Sequence, residues 1–177
     1  MGRQKVFVDC DDVLFDFNKL LFEVLNAGKT AEAEGRGEEW VDIRREDVPA
    51  GVFAHEVFGY TRDQIRSLYD AWGPRGMDAY MEVIDGAVEG ITKLSEKYDV
   101  ELATVRSNEA CVYLGPVLEE HFGDSFAMYH FLGGGSKVEA ARIEGNVVAI
   151  IDDQQRNLED IRVGDGMRGI LFTRHWN

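Results

Sequence analysis

The sequence predicts an α/β protein: a Rossmann-like parallel sheet flanked by helices, with a small helical cap inserted after the first strand. Five short segments are almost continuously apolar, which is typical of strands covered on both faces. Segments with apolar residues at helical spacing alternate with these strands, and this alternation favours a parallel sheet with right-handed crossovers. About ninety residues separate the first strand from the second, far more than one crossover helix requires.

The strands and helices of the core follow one another in order along the chain. The strands are predicted at residues 5–8, 100–103, 126–131, 147–151 and 169–172. Apolar residues recur at helical spacing before each of the last four strands, at residues 87–98, 117–122, 138–143 and 158–161. We therefore assign residues 1–16 and 82–177 to the α/β core.

Residues 17–81 are predicted to form the helical cap, placed over the end of the first strand. Stretches 17–25 and 61–72 carry apolar residues on one helical face. Residues 27–39 are expected to form an exposed loop or a frayed helix, and turns are expected at 49–51 and 73–74. A small cap needs its own core, so most of its aromatic residues are predicted to pack inside it. They are Phe17, Phe22, Trp40, Phe53, Phe58, Tyr69 and Trp72.

The charge of the chain limits its partners. Its 177 residues include 33 acidic and 19 basic side chains, and the formal net charge is −14. This charge opposes binding to polymeric nucleic acid or to an anionic membrane, because no basic cluster is longer than Arg44 and Arg45. The longest apolar run, residues 147–151, is far shorter than the roughly 20 residues of a membrane span. No apolar leader opens the sequence, so a cytoplasmic protein with reduced cysteines is expected.

Acidic residues follow two of the predicted strands directly. Asp9, Asp11 and Asp12 come after the first strand, and Asp152 and Asp153 come after the fourth. Because ligands of open α/β sheets bind at the carboxyl ends of the strands, we expect these carboxylates to converge. Converging carboxylates repel one another unless a cation is present, and Mg²⁺ with water and a substrate phosphate fits such a site.

Two other strand ends offer groups that suit a phosphate. Thr104 follows the second strand, and Lys137 opens a helix after the glycine-rich loop at 133–135. A hydroxyl and an ammonium group beside a metal ion can bind the charged oxygens of a phosphoryl group. The strand ends together therefore predict phosphate chemistry.

The order of these motifs resembles that of the haloacid dehalogenase (HAD) superfamily of aspartate-dependent phosphohydrolases. All four motifs of this superfamily are present, and the resemblance spans nearly the whole chain. They are matched by residues 9–13 (DxDx[TV]), Thr104, Lys137, and the pair Asp152 and Asp153. The insertion also lies where this superfamily places its first type of cap.

The resemblance implies a role for each matched residue. Asp9 would be the nucleophile that forms an aspartyl-phosphate, and Asp11 would protonate the leaving oxygen and later deprotonate water. Mg²⁺ would be held by the Asp9 carboxylate, the Asp11 backbone carbonyl and Asp153. Asp152 would be a further ligand, reached through water. Superfamily dehalogenases lack the second aspartate of the first motif, so Asp11 favours phosphate over carbon–halogen chemistry.

The phosphoryl oxygens have three candidate partners. Thr104 and Lys137 are assigned this role by the superfamily motifs. Arg106 is the third candidate, although it could instead contact a nearby acid or lie in its loop without a functional contact.

A narrower resemblance concerns the substrate. The stretches DCDDVLFDF, EVIDGAVEGITKL, IIDDQQRNLEDI and GILFTRHWN are similar to those of the 5'(3')-deoxyribonucleotidase family. This resemblance implies a 5'-nucleotidase that removes phosphate from nucleoside monophosphates. The chain departs from the family at Asp12, where Gly is common, at Asp85, where Pro is expected, and at residues 105–107.

Other functions stay open at this point. A phosphatase for another small phosphometabolite, such as a phosphosugar, would carry the same motifs under a different cap. A phosphatase for polynucleotide ends is opposed by the net charge. A non-catalytic binding module on the same fold is disfavoured because Asp9 and Asp11 are both present. Exposure of the cap makes a homodimer plausible.

The sequence also predicts the burial or orientation of several single residues. Asp12 is expected to be an exposed charge at a helix start, and Phe15 is the first choice for an aromatic side chain facing the pocket. Cys10 should be buried and turned away from the site by strand alternation. The histidines have no metal-binding spacing and are expected to be structural or exposed. They are His55, His121, His130 and His175.

Overall fold

The computed structural model describes residues 2–49, 52 and 54–174. Three parts of the sequence discussed above lie outside these residues. They are Phe53 with the side chain of His55, residues 50 and 51 of the expected turn, and residues 175–177, which include His175.

Five parallel strands form one sheet in the described chain, which confirms the predicted fold class. They are β1 (Lys5–Val8), β2 (Asp99–Thr104), β3 (Met128–Phe131), β4 (Val147–Asp152) and β5 (Arg168–Leu171). The spatial order is β3-β2-β1-β4-β5, so the direction of winding reverses between β1 and β4. Val8 at the end of β1 lies opposite Leu102 and Ile151, and the carboxyl ends of the central strands therefore meet at one edge.

The insertion between β1 and β2 is helical. Its helices are α1 (Phe17–Glu34), α2 (Ala54–Phe58) and α3 (Arg62–Trp72). They enclose a core of their own, made of Leu21, Phe22, Leu25, Val48, Phe58, Ile65 and Trp72. The division of the chain into a cap at 17–81 and an α/β core stays a proposal.

The long helix α1 corrects the expectation of a loop or frayed helix for residues 27–34, whereas residues 35–39 are exposed and outside the helix, as expected. The side chain of Asp16 accepts a hydrogen bond from the Lys19 amide and so starts the helix, which then continues without interruption to Glu34. Asn26 stabilises the far half, because it is buried and its amide group contacts both the backbone of Ile43 and the indole of Trp40. Tertiary contacts thus stabilise the helix in a stretch whose composition had suggested a frayed helix.

The core helices cover the two faces of the sheet. They are α4 (Ala87–Ser95), α5 (Cys111–Phe122) and α6 (Lys137–Glu144). Ile91 of α4 and Leu114 and Leu118 of α5 pack on one face, whereas Val138 and Ala141 of α6 pack on the other. No helix of the described chain is long and apolar enough to cross a membrane.

The prediction of a helix at residues 158–161 is wrong. Short 3-10 turns at Gln155–Asn157 and Val163–Asp165 take its place. Leu158 and Ile161 are packed against Gly169 of β5, which has no side chain to keep them away. Their apolar spacing therefore reflects contact with the sheet and not a helix face.

Candidate active site

Four buried polar residues lie at the carboxyl ends of the central strands. Asp9 follows β1, Thr104 ends β2, Asp152 ends β4 and Asp153 follows it. Carboxylate oxygens of Asp9, Asp152 and Asp153 lie within 4.8 Å of one another. The three sit where the winding of the sheet reverses, which is where open α/β sheets bind ligands.

Lys137 lies among these carboxylates. Its Nζ atom is 2.6 Å from Oδ1 of Asp9 and 2.5 Å from Oδ2 of Asp152, and its side chain is completely buried. The Lys residue is held at the start of α6, where Ser136 caps the helix by accepting a hydrogen bond from the Glu139 amide. One ammonium group thus contacts two of the three buried carboxylates.

Among these four side chains, the acids outnumber the lysine by three to one. Burial raises the pKa of Asp9 to about 7, because the neighbouring Lys137 only partly offsets the burial and Asp152 and Asp11 add to it. Burial opposes the charge of Lys137, but Asp9 and Asp152 outweigh it, so the pKa of Lys137 is raised. Two negative charges remain when all groups are ionised, and a hard divalent cation with oxygen ligands fits this donor set.

Asp152 is fixed by donors from the chain itself. Its carboxylate accepts hydrogen bonds from the Gln154 amide at 2.8 Å and from the Asn157 side chain at 3.0 Å, besides the contact with Lys137. These donors leave it less free to bind a metal ion directly, in keeping with a ligand reached through water. Asn157 was missed by the sequence reasoning, and its place in a polar stretch after the acidic pair was the only available signal.

The glycine-rich loop before α6 is fastened to the loop after β2. The amides of Leu132, Gly133 and Gly134 donate to the carbonyls of Thr104, Arg106 and Val105, at 2.8–2.9 Å. Gly133 and Gly134 have φ values of +57° and +84°, which other residues rarely adopt. This pairing ties the segment that carries Lys137 to the end of β2 that carries Thr104.

Arg106 contacts acids, which was one of the three possibilities open for it. Its Nε and Nη2 atoms donate to the two carboxylate oxygens of Asp11 at 2.9 and 2.7 Å. Its Nη1 atom donates to Asp78 at 2.5 Å. Asp78 was not found from the sequence, because it lies in a turn among the insertion's residues and no motif marks it. The phosphate-binding role of Arg106 stays a prediction.

Asp12 is buried, which corrects the expectation of an exposed charge. Only 3 % of the residue is exposed, and its carboxylate accepts from the backbone amide and the side chain of Asn18 in α1. Burial raises the pKa of Asp12 to about 8, although the Asn18 amide opposes this. Its φ of +61° is a left-handed conformation, which explains why glycine suits this position.

The aromatic residues near the site differ from the expected choice. Phe15 is fully buried and packs edge-on against Phe122 of α5, so it does not face the pocket. Tyr69 is 45 % exposed, and partial burial, followed by the charges of Asp11 and Asp12, raises its pKa to about 12. Tyr69 therefore lies near Asp11 and Asp12, and its ring contacts that of Phe17, which in turn lies beside Arg106.

Two other expectations concern Cys10 and the histidines. Cys10 is completely buried, as expected for a side chain in the core. His130 lies beside Glu101 and Glu144 in space, a grouping that its sequence spacing did not indicate. Lys5 contacts both of these carboxylates, so the chain supplies its own cation there.

Known proteins resemble this chain in fold. No protein-family model matches the chain, and no curated protein matches its sequence. Solved structures of HAD-superfamily hydrolases are nevertheless similar, and the sequence identity is so low that the shared property is the fold.

Three of these structures illustrate the similarity. A HAD-like family hydrolase from Streptococcus pneumoniae has a TM-score of 0.61 at 14 % identity, over 96 % of this chain and 84 % of that one. A subfamily IA hydrolase from Geobacter sulfurreducens has a TM-score of 0.56 at 15 % identity, over 96 % and 89 %. A HAD family enzyme from Bacteroides thetaiotaomicron, in complex with magnesium and inorganic phosphate, has a TM-score of 0.51 at 15 % identity, over 96 % and 94 %.

Proposed function

We propose that this protein is a Mg²⁺-dependent phosphomonoesterase that acts through an aspartyl-phosphate on (deoxy)nucleoside monophosphates. The observation that carries the proposal is the buried cluster of Asp9, Asp152 and Asp153 at the point where the winding of the sheet reverses, with Lys137 in contact with Asp9 and Asp152. Three carboxylates so close together favour binding of a divalent cation, and the strand-end positions are those of the HAD motifs. A fold neighbour that binds magnesium and phosphate gives additional support.

The carboxylates of Asp9 and Asp153 and the backbone carbonyl of Asp11 would hold the metal ion. Asp152, which is already bonded to Lys137 and Asn157, would act through a water molecule. The ion would neutralise the phosphoryl oxygens and favour the ionised form of Asp9.

The chain's own side chains would carry out the bond changes. A carboxylate oxygen of Asp9 attacks phosphorus while the bond from phosphorus to the leaving oxygen breaks. Asp11 gives a proton to that oxygen, so the product leaves as a neutral alcohol. Asp11 then takes a proton from water, which attacks phosphorus and releases inorganic phosphate and the Asp9 carboxylate.

Lys137 and Thr104 are proposed to bind the phosphoryl oxygens. Lys137 uses two of its three donor protons on Asp9 and Asp152, and the third remains for a ligand. The Thr104 hydroxyl accepts from the Arg106 amide at 3.3 Å, which leaves its own proton to donate. Both groups are buried and therefore act in a site of low dielectric constant, where their charge and dipole have most effect.

A nucleotide substrate is supported by the deoxyribonucleotidase-like stretches and by the aromatic rings of Phe17 and Tyr69, which lie near Arg106 and Asp11. A cytoplasmic location and a homodimer stay predictions. A phosphosugar is the alternative substrate, since the buried cluster alone would serve it equally well.

Phosphate release tests the function directly. We expect release from deoxynucleoside monophosphates in Mg²⁺, loss of release in EDTA, and a fall of about 10⁴-fold or more in kcat for Asp9→Asn. Asp85→Asn is the matched control, because Asp85 is exposed and follows the insertion.

The substrate panel separates the alternatives. It contains deoxy- and ribonucleoside monophosphates, several phosphosugars and p-nitrophenyl phosphate. Release from phosphosugars alone would keep the mechanism and reject the nucleotide. Absence of release from every compound, with folded protein, would reject the phosphatase and favour a binding module.

A further inference from the structure

Arg106 joins three separate parts of the chain in one ion-pair network. Its own loop follows β2, Asp11 follows β1, and Asp78 lies in the 3-10 turn Met77–Tyr80, where the chain returns from the inserted helices. The pair with Asp11 is bidentate, at 2.9 and 2.7 Å, and the contact with Asp78 is 2.5 Å. A fork of this kind fixes the plane of the carboxylate as well as its distance.

The surroundings of the guanidinium group restrict its movement. Its Nη2 atom is 3.5 Å from the sulfur of Met81, and its central carbon lies 5.5 Å from the centre of the Phe17 ring. The side chain is 13 % exposed. Its backbone is also held, because the Arg106 carbonyl accepts from Gly133 in the loop before α6.

Asp78 has a buried charge that needs an explanation. Its side chain is 2 % exposed, and among the described residues the hydrogen-bond partner of its carboxylate is Arg106. Burying a carboxylate costs several kcal/mol unless it is paired, so a position with no role would favour an uncharged residue. The contact with Arg106 therefore points to a role through that residue.

We propose that Asp78 and Arg106 are positioning residues that hold the Asp11 carboxylate in the orientation needed for proton transfer to the leaving oxygen. This inference rests on the proposed function, in which Asp11 is the general acid. Asp78 fixes one end of the guanidinium group, and the other two nitrogens fix Asp11. The turn that ends the inserted segment thereby sets the orientation of a group in the core.

The inference predicts a loss that depends on the leaving group. An alkyl phosphate needs its leaving oxygen protonated, whereas p-nitrophenolate leaves readily without a proton. Misplacing Asp11 should lower kcat/KM for a deoxynucleoside monophosphate by about 10²-fold, but that for p-nitrophenyl phosphate by less than about threefold. A change that only loosened the fold would lower both by the same factor.

The variants are Asp78→Asn, Arg106→Met and Arg106→Lys. Arg106→Lys should resemble Arg106→Met, because an ammonium group cannot form the bidentate contact. Asp78→Asn keeps the shape of the turn and leaves Arg106 in place, so it remains informative if the Arg106 variants fail to fold. Asp85→Asn and Arg66→Met, both at exposed positions, are the matched controls and should match the unaltered protein.

Asp11→Asn separates this inference from the function on which it rests. We expect it to show the same selective loss on the alkyl substrate as the Arg106 variants, only larger. Equal losses of kcat/KM on both substrates for Asp11→Asn would reject Asp11 as the acid, and the inference with it, because kcat/KM does not include the later attack by water. Selective loss for Asp11→Asn but equal losses for Asp78→Asn and Arg106→Met would overturn the inference alone. Faster turnover of the alkyl substrate in those variants would also overturn it, since the network would then restrain Asp11.

Discussion

Two clusters of side chains in the described part of the chain could each hold a metal ion, and they differ in charge and in burial. The strand-end cluster consists of Asp9, Asp152, Asp153 and Lys137. The second cluster, called the opposite cluster because its Lys5 lies at the amino end of β1, consists of Lys5, Glu101, His130 and Glu144. In both, side chains that could hold a metal ion approach within 4.8 Å of one another.

The clusters differ in charge balance and in access to water. The strand-end cluster has three acids and one lysine, and its Lys137 and Asp152 side chains are completely buried. In the opposite cluster Lys5 and Glu144 are 21 % and 34 % exposed, and Lys5 contacts both glutamates. His130, which lies 2.7 Å from Glu101, can add a second positive charge when protonated. Both clusters contain carboxylates and a lysine, so they are distinguished by the excess of acids over lysine and by burial.

Removing the lysine from each cluster tests this contrast most strongly. Lys137→Met should destabilise the metal-free protein by about 3–5 kcal/mol, because it leaves two buried carboxylates unpaired. Lys5→Met should cost about 1 kcal/mol or less, since that cluster reaches water. Urea unfolding in EDTA measures both. Equal losses would show that the two clusters are equivalent.

Magnesium should stabilise only through the strand-end cluster. At about 100 times its dissociation constant, Mg²⁺ should raise the free energy of unfolding by about 2.7 kcal/mol. Asp153→Asn should remove most of this gain, and Glu144→Gln, the matched change at the opposite cluster, should keep it. The measurement is the urea midpoint with EDTA and with Mg²⁺. If the Mg²⁺-dependent gain in stability is retained in Asp153→Asn and lost in Glu144→Gln, the metal ion binds at the opposite cluster instead.

The pH dependence of the metal-free protein should reflect the strand-end acids. The pKa values of Asp9 and Asp12 are raised to about 7 and about 8, whereas an unfolded aspartate titrates near about 3.9. Between these values the folded state binds more protons than the unfolded state. Stability should therefore fall as pH rises from about 4 to about 8, by up to about 1.4 kcal/mol per pH unit for each group.

Two variants check the source of this slope. Asp12→Asn should flatten it, because the raised pKa of Asp12 is then absent. Glu144→Gln should leave it unchanged, since hydrogen bonding to Lys5 lowers the pKa of Glu144 below 4.5, at the acid end of the window. A slope that is unchanged in Asp12→Asn would show that this carboxyl is not protonated in the folded state.

The sequence predicted the parts of the site that depend on local pattern. An apolar run followed by an acid is a local feature, so Asp9, Asp152 and Asp153 were found together with the strand ends that carry them. Lys137 was found because it opens a helix directly after a glycine-rich loop. The role of each residue stays a prediction, whereas the parallel sheet on which they lie is confirmed.

The errors fall where contacts made in the folded chain override the local pattern. Phe15 follows the first motif closely, but packing against α5 draws its ring into the core. Asp12 looked like an exposed helix charge, and the folded chain buries it against Asn18. Leu158 and Ile161 looked helical, and their spacing serves contact with β5 instead.

By itself the sequence determined the fold class and the order of the strand-end motifs, because each strand signals its buried character along a short stretch. Only the tertiary structure decided which charges are compensated. Arg106 lies 95 residues from Asp11 and 28 from Asp78 along the chain, and no local pattern connects them. The same holds for the lysines, since Lys137 and Lys5 differ in what surrounds them and not in type. Charge balance in a protein interior is a property of three-dimensional neighbours, so it appears only when the chain is folded.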